Sequence, residues 1–248
     1  MKQFGIIGFP LSHSFSPGYF AAKFECEDIT DANYAVFPLE KIEYFNDLCL
    51  EFPNLKGLNV TIPYKEKIIA YLDELSEEAQ KIEAVNTILF SDGKKTGYNT
   101  DIYGFENSLQ PLLNNTHKQA LILGTGGAAK AVEYVLQKLG IGYRHVSRHE
   151  TENAYCYEDL FDNDSILQAH TLIINTSPIG MYPNTNECPN IPYEKLTQAH
   201  LLYDLVYNPE NTLFMQCGAA QGATVKNGLD MLYLQAEKSW EIWNKKPV

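Results

Sequence analysis

Short apolar runs bounded by Gly, Pro and polar residues alternate along the chain with longer stretches in which apolar residues recur three or four apart. Phe4 to Phe9 predicts a buried strand that empties into Pro10-Leu11-Ser12-His13-Ser14-Phe15-Ser16-Pro17. Ser16 suits an N-cap and Pro17 the first helical position, so a helix is expected to start there and carry Phe20 and Phe24. Asn33 to Leu39 predicts a second strand, and Glu40 to Phe52 a helix with Ile42, Phe45, Leu48, Cys49 and Phe52 on one face. Leu55 to Thr61 predicts a third strand. Pro63 then fits the first turn of a helix whose stripe is Ile68, Ile69 and Leu72, and the acidic run from Asp73 to Glu83 reads as a solvated helix face. Val85 to Phe90 and Thr96 to Thr100 flank Ser91-Asp92-Gly93-Lys94 as a hairpin, after which Asp101 opens a helix through Ile102, Phe105 and Leu109.

The polar stretch from Pro111 to Gln119 looks like a domain joint. Beyond it come strands at Ala120 to Leu123, Tyr143 to Val146, Thr171 to Asn175, Leu201 to Val206 and Ala223 to Val225. Helices are expected at Ala128 to Leu139, at Asn211 to Ala220 and after Asn227-Gly228, the last with Leu229, Leu232, Ala236 and Trp240 on one face. Strands alternating with helices predict α/β architecture with mostly parallel sheets.

Composition narrows the function classes. With 248 residues and 45% apolar content the chain can bury one large core or two modest ones. A net charge of −12 repels polyanions, so neither nucleic acid nor a membrane surface is an expected partner, and an anionic ligand needs a locally basic pocket. Five scattered cysteines without a Cys-x-x-Cys pair read as reduced thiols in a cytoplasmic protein. His145 and His149 straddle a strand end, which makes a metal site unexpected. No stretch reads as a signal peptide or approaches membrane-spanning length.

The candidate chemistry centres on Asn59-Val60-Thr61-Ile62-Pro63-Tyr64-Lys65. In a first helical turn Lys65 would face the positive end of the dipole, at a cost of about 0.3–1 kcal/mol. That mismatch suggests acid–base use, with an exposed amine that tolerates it as the alternative. Ser14 and Ser16, beside unpaired N–H groups, suit a carboxylate or phosphate, although capping alone accounts for Ser16. Pairing across the hairpin could bring Asn86 to Asn99-Thr100-Asp101, where Asp101 is either a cap or a partner for Lys65. Gly124-Thr125-Gly126-Gly127-Ala128-Ala129, between a strand and a helix, matches the dinucleotide fingerprint, with Ala129 third and a tight turn without ligand as the alternative. Arg148 stands at the end of the next strand, where NAD enzymes place an acid, and it suits the 2′-phosphate of NADP, with plain surface charge beside Glu150 as the alternative. The loop from Thr176 to Met181 could cover a cofactor's reactive ring.

Taken in order, Ser-His-Ser-Phe-Ser-Pro at 12–17, Asn-Val-Thr-Ile-Pro-Tyr-Lys at 59–65, Val-Asn-Thr at 85–87, Asn-Thr-Asp at 99–101, the 124–130 turn, Tyr-Asp-Leu-Val-Tyr-Asn-Pro at 203–209 and Asn-Gly-Leu-Asp-Met-Leu at 227–232 resemble the shikimate dehydrogenase family over essentially the full length. The resemblance implies reversible NADPH-dependent reduction of 3-dehydroshikimate to shikimate, on the way to aromatic amino acids. It also implies two α/β domains with the active site in the cleft between them. Residues 1–101 with 229–248 would bind substrate, and residues 102–228 would form a Rossmann-like NADP domain.

Carried over by position, Lys65 and Asp101 would be the catalytic pair. Ser14 and Ser16, with Tyr207 nearby, would hold the substrate carboxylate, and Asn59, Thr61, Asn86 and Gln235 would contact or line the pocket of the ring hydroxyls. Gly124, Thr125, Gly126, Gly127, Ala128, Ser147, Arg148, Thr176, Met181, Leu205 and Gly228 would meet the cofactor. Three positions depart from the family's pattern: Ser147-Arg148-His149 replaces a common Asn-Arg-Thr, Thr125 a frequent alanine and Asp230 a frequent glycine. Two alternatives stay open, an NAD-preferring quinate/shikimate dehydrogenase and a regulatory protein that binds shikimate without turnover. A monomer and a homodimer are equally compatible with the sequence.

Overall fold

A computed structural model describes residues 1–11, 14–148 and 154–245. The chain divides into two compact units, residues 1–103 with 234–248 and residues 104–233. The division falls inside two helices. It does not fall in the polar stretch 111–119, which lies within the second unit and begins as a short 3-10 turn, Gln110–Leu112.

The first unit holds β1 (Lys2–Gly8), α1 (Phe15–Cys26), β2 (Ala32–Pro38), α2 (Phe45–Glu51), β3 (Leu55–Val60), β4 (Glu74–Leu75), α3 (Glu77–Ile82), β5 (Thr87–Ser91), β6 (Lys94–Tyr98) and the start of α4 (Asp101–Leu109). Its sheet runs β2-β1-β3-β5-β6-β4 and is mixed, because the β5–β6 hairpin enters antiparallel to β3. Asp92 and Gly93 both have positive φ (52° and 74°), the backbone of a tight two-residue hairpin turn. One face of the sheet packs Ile7, Leu58, Val85 and Ile88 against Phe45 and Ile68. The other packs Phe4 against Phe20, Ala236 and Trp243, with the Phe4 and Trp243 rings stacked at 5.1 Å. Trp243 donates its indole N–H to the Ile88 carbonyl at 2.9 Å and lies over Gly57, where an added Cβ would stand 2.2 Å from the indole nitrogen. A glycine at 57 is therefore what lets the last helix seat on the sheet.

The second unit contains the rest of α4, then β7 (Gln119–Leu123), α5 (Gly127–Lys138), β8 (Gly142–Ser147), β9 (Ala154–Cys156), α6 (Asp159–Asp162), α7 (Asp164–Ala169), β10 (Leu172–Asn175), β11 (Leu201–Asp204), α8 (Leu213–Ala220), β12 (Thr224–Lys226) and the first turn of α9 (Leu229–Asn244). Its sheet is parallel throughout, in the order β12-β11-β10-β7-β8-β9. Counted within the unit this is 3-2-1-4-5-6, the doubly wound order that opens a crevice at the carboxyl ends of its first and fourth strands. The central strands β7, β10 and β11 are almost wholly buried, which is why they read as continuous apolar runs in the sequence. The patterns for β4, β9, α6 and α7 are too short to stand out against the surrounding polar sequence.

Two local readings are corrected. Lys65 is not in the first turn of an α-helix. The chain turns at Ile62-Pro63, closed by Tyr64 N–H to Thr61 O at 2.9 Å, and the Lys65 carbonyl accepts Val85 N–H at 2.7 Å. Ile69 N–H goes instead to Glu66 O at 3.3 Å, so only a five-residue 3-10 stretch, Lys67–Tyr71, comes next. Lys65 therefore meets no α-helix dipole. Likewise α1 begins at Phe15, with Ser14 at its N-cap position and Ser16 already inside the first turn.

Candidate active site

Lys65 is fixed by its neighbours before its amine is considered. Thr61 N–H donates to Ile7 O at 3.0 Å, the buried Tyr64 phenol donates to Leu39 O at 2.7 Å, and the Lys65 carbonyl is held by Val85, just ahead of β5. The side chain then reaches Asp101, with Nζ to Oδ2 at 2.6 Å and side-chain exposures of 26% and 15%. The backbone N–H groups of Asp101 and Ile102 both face Asn99 Oδ1, at 3.1 and 3.4 Å. Asn99 therefore caps α4, and the Asp101 carboxylate serves the lysine. The hairpin delivers residue 101 to residue 65 because β5 lies between β3 and β6.

Beside this pair lies a buried polar array. Asn86 Oδ1 accepts Thr100 N–H at 2.7 Å, and its amide donates to Thr100 Oγ1 at 3.0 Å. The Asn59 amide donates to Ser239 Oγ at 3.1 Å and Thr87 Oγ1 at 3.3 Å, while its Oδ1 accepts the Tyr34 phenol at 2.8 Å. Ser239 and Thr87 are 2.8 Å apart, and Thr100 Oγ1 lies 3.4 Å from Gln235 Oε1. The Ser16 hydroxyl hydrogen-bonds the Tyr34 phenol, whose ionisation burial pushes well above the usual tyrosine range. No buried side-chain nitrogen or oxygen among the described residues lacks a partner. Such an array is pre-organised, since removing one member leaves the others unsatisfied at about 1–3 kcal/mol each.

Ser14, at the N-cap of α1, makes no capping bond with its side chain. Of the residues expected to meet substrate, Ser14, Ser16, Asn59, Thr61, Lys65, Asn86, Asp101 and Gln235 fall in the first unit, and Tyr207 falls in the second, where burial raises its phenol's pKa. Tyr34, Thr87 and Ser239 were not anticipated as site residues. Ser239 lies one helical turn beyond Gln235 and was findable on that spacing. Tyr34, in a strand with no local signal, was not.

In the second unit β7 leads into Gly124, whose φ of +113° only glycine adopts readily. Gly126 occupies the N-cap of α5 without a capping side chain, and a Cβ added at Gly126 or Gly127 would meet nothing within 4 Å. Packing does not require glycine at 126 and 127, and the bare backbone there leaves room for a ligand to approach. Next to the turn is a cavity of about 580 Å³ lined by Gly124, Thr125, Ser147, Arg148, Tyr157 and Ile179, among others. Helix N-terminal N–H groups at a glycine turn, with Arg148 alongside, fit a dinucleotide that carries an extra phosphate.

The 176–181 loop is anchored by Asn175, which accepts from Ser177 N–H at 3.1 Å and Oγ at 2.6 Å and donates to Asp204 at 2.9 Å. Thr176 donates to Leu123 O at 3.0 Å, and Met181 is exposed. Gly228 packs on the backbone of Leu205, so closely that an added Cβ would stand 2.3 Å from its carbonyl oxygen. Tyr157 was not anticipated, because neither β9 nor the turn after it carries a sequence signal. His149 lies outside the described residues.

Residues 6–88 match the family described as shikimate dehydrogenase substrate binding domain. A shikimate dehydrogenase (NADP(+)) of Methanosphaera stadtmanae is 37% identical, with 98% of this chain and 91% of that one covered. The chain belongs to the shikimate dehydrogenase family. Within it, the Thermus thermophilus enzyme solved with NADP(H) and shikimate superimposes with a TM-score of 0.85 at 30% identity, over 98% of this chain and 94% of that one. A quinate dehydrogenase from Corynebacterium glutamicum, solved with NAD, shares the fold with a TM-score of 0.86 at 24% identity, over 98% of this chain and 93% of that one.

Proposed function

We propose that the chain interconverts shikimate and 3-dehydroshikimate with NADP(H), Lys65 and Asp101 forming the proton-transfer pair. The observation that carries this reading is the 2.6 Å contact between those two residues, 36 positions apart, beside a buried array of hydroxyls and amides. Residues 1–101 with 229–248 serve the substrate, and residues 102–228 the cofactor.

In the reductive direction bound NADPH supplies a hydride to the substrate's carbonyl carbon. Lys65 donates a proton to the carbonyl oxygen as negative charge develops there, and Asp101 holds the amine in place. In the oxidative direction the same pair takes the hydroxyl proton. Ser14 and Ser16 receive the substrate carboxylate, with Tyr207 contributing. Asn86, Thr61 and Gln235 face the ring hydroxyls. Asn59 acts from behind, because both N–H groups of its amide and its Oδ1 already bond to protein groups, whereas the Asn86 amide gives one N–H to Thr100 and keeps the other. Gly124 to Ala128 cradle the pyrophosphate. Ser147 and Arg148 hold the adenosine 2′-phosphate, while Thr176, Met181, Leu205 and Gly228 border the nicotinamide.

Initial rates with shikimate and with quinate, each paired with NADP⁺ and with NAD⁺, test the reading. Turnover is expected chiefly with shikimate and NADP⁺. Faster turnover of quinate with NAD⁺ would replace it with the NAD-preferring alternative, and shikimate binding without turnover would replace it with a regulatory role.

A further inference from the structure

His145 on β8 adjoins the glycine turn. Its Nδ1 lies 2.9 Å from the Gly124 carbonyl oxygen, and its Nε2 lies 3.2 Å from Glu133 Oε1 on α5. Both partners are acceptors. A neutral imidazole has one N–H, so either tautomer turns a lone pair onto an oxygen, whereas the imidazolium donates to both. Among the described residues, the other groups around the ring do not compete for this role. Tyr143 meets it edge-on at 5.9 Å, with its phenol donating to Glu133 Oε2 at 3.4 Å and accepting from Gln137 at 2.8 Å. Ile122 on β7 and Ala154 on β9, its register neighbours, bring no charge. The Glu133 hydrogen bond favours the protonated ring, the Gly124 carbonyl adds to it and burial opposes it, with a net upward shift from 6.5.

A peptide's C=O and the following N–H point in opposite directions across a rigid plane. Tying the Gly124 oxygen to His145 therefore aims the Thr125 N–H away from the ring and polarises it. Loss of the His145 proton breaks one of the two bonds and leaves the Glu133 carboxylate uncompensated close to the turn.

We propose that His145, as an imidazolium bridging Gly124 and Glu133, is a positioning residue for the cofactor's pyrophosphate. The proposal rests on the reading of the 124–128 turn as the cofactor site. No part of the family resemblance points to this residue, and its charge makes cofactor affinity fall as the ring deprotonates.

The test is the affinity for NADP⁺, measured by calorimetry from about pH 6 to about pH 9, in the wild-type chain and in His145→Gln, which keeps a donor for Gly124 without the charge. At the acid end the wild type should bind about three- to tenfold tighter, the scale of one unit charge partly screened by water. The gap should close as the pH passes the His145 titration. The 2′-phosphate of NADP⁺ also titrates near 6, but it does so in both proteins and cancels in the ratio. Carbon-13 NMR of the wild-type imidazoles gives the midpoint without any variant, and Glu133→Gln should lower that midpoint and shift the closing of the gap with it. Parallel affinity profiles in the two proteins, or a His145 ring that is neutral at the acid end, would overturn the proposal alone. Absence of NADP⁺ binding at every pH would overturn the cofactor reading and this proposal together.

Discussion

Around Lys65 the polar side chains come from positions 34, 59, 86, 87, 100, 101, 235 and 239, on five elements and the two ends of the β5–β6 hairpin, and satisfy one another in a buried array. At the glycine turn of the second unit the candidate donors are backbone N–H groups at the start of α5, beside a cavity that Gly124 and Thr125 line and backed by the few side chains that hold the loops. The first arrangement is rigid because each member is another's hydrogen-bond partner. The second is rigid because a glycine backbone and a helix end leave the main chain few alternatives. Damage should differ accordingly: side-chain changes in the first region cost turnover or stability, and changes in the second cost cofactor affinity.

The sharpest separation should come from Asp101→Asn. Its amide cannot match a carboxylate in orienting Lys65, so turnover should fall by about 10²–10⁴-fold with the circular dichroism spectrum and NADP⁺ affinity retained. Asp204 probes the support of the second region. It is fully buried, accepting from Asn175, Val206 N–H and Thr212, and burial pushes its carboxyl up to about 6, against 3.8 for an ordinary aspartate. The folded state therefore binds that proton more tightly than the unfolded one. The stabilisation is complete below the unfolded value and is lost as pH rises through about 6, amounting to about 3 kcal/mol. Urea denaturation across about pH 4–8 should show this loss in the wild type and a flatter profile in Asp204→Asn.

A smaller effect is expected at Arg148, which lines the cavity. Arg148→Ala should weaken NADP⁺ binding by about 10- to 100-fold, the worth of a charge-assisted bond to phosphate, and leave NAD⁺ binding nearly unchanged. Smallest should be Ser239→Ala. It removes one partner each of Asn59 and Thr87, which keep their bonds to each other and to Asn86, and should lower unfolding free energy by about 1–2 kcal/mol, with NADP⁺ affinity unchanged. If that substitution altered cofactor affinity, the two regions would not be energetically separate in the way their construction suggests.

The contrast also explains what the sequence made legible. The fingerprint at 124–129 is a local device in which strand, glycines and helix are consecutive, so its spacing alone pointed to a pyrophosphate. The wholly buried strands β7, β10 and β11 were visible for the same local reason. The Lys65 region depends on β5 lying between β3 and β6, which only the sheet order reveals. Family resemblance, more than spacing, marks its residues, and Lys65 lies outside any α-helix, so no helix dipole acts on it. Tyr34 stayed hidden because its role comes from a long-range contact with Asn59. Asn99 was grouped with Asp101, but which of the two caps α4 is decided by side-chain geometry that spacing does not carry.

The central claim is that Lys65 moves the proton while the second unit separately holds the cofactor. The most direct test is kcat for shikimate oxidation by saturating NADP⁺ in Lys65→Ala, beside a calorimetric NADP⁺ affinity on the same sample. A fall in kcat of about 10²–10⁴-fold with cofactor affinity unchanged is the predicted result. A near-normal kcat in a variant with a native circular dichroism spectrum would contradict it.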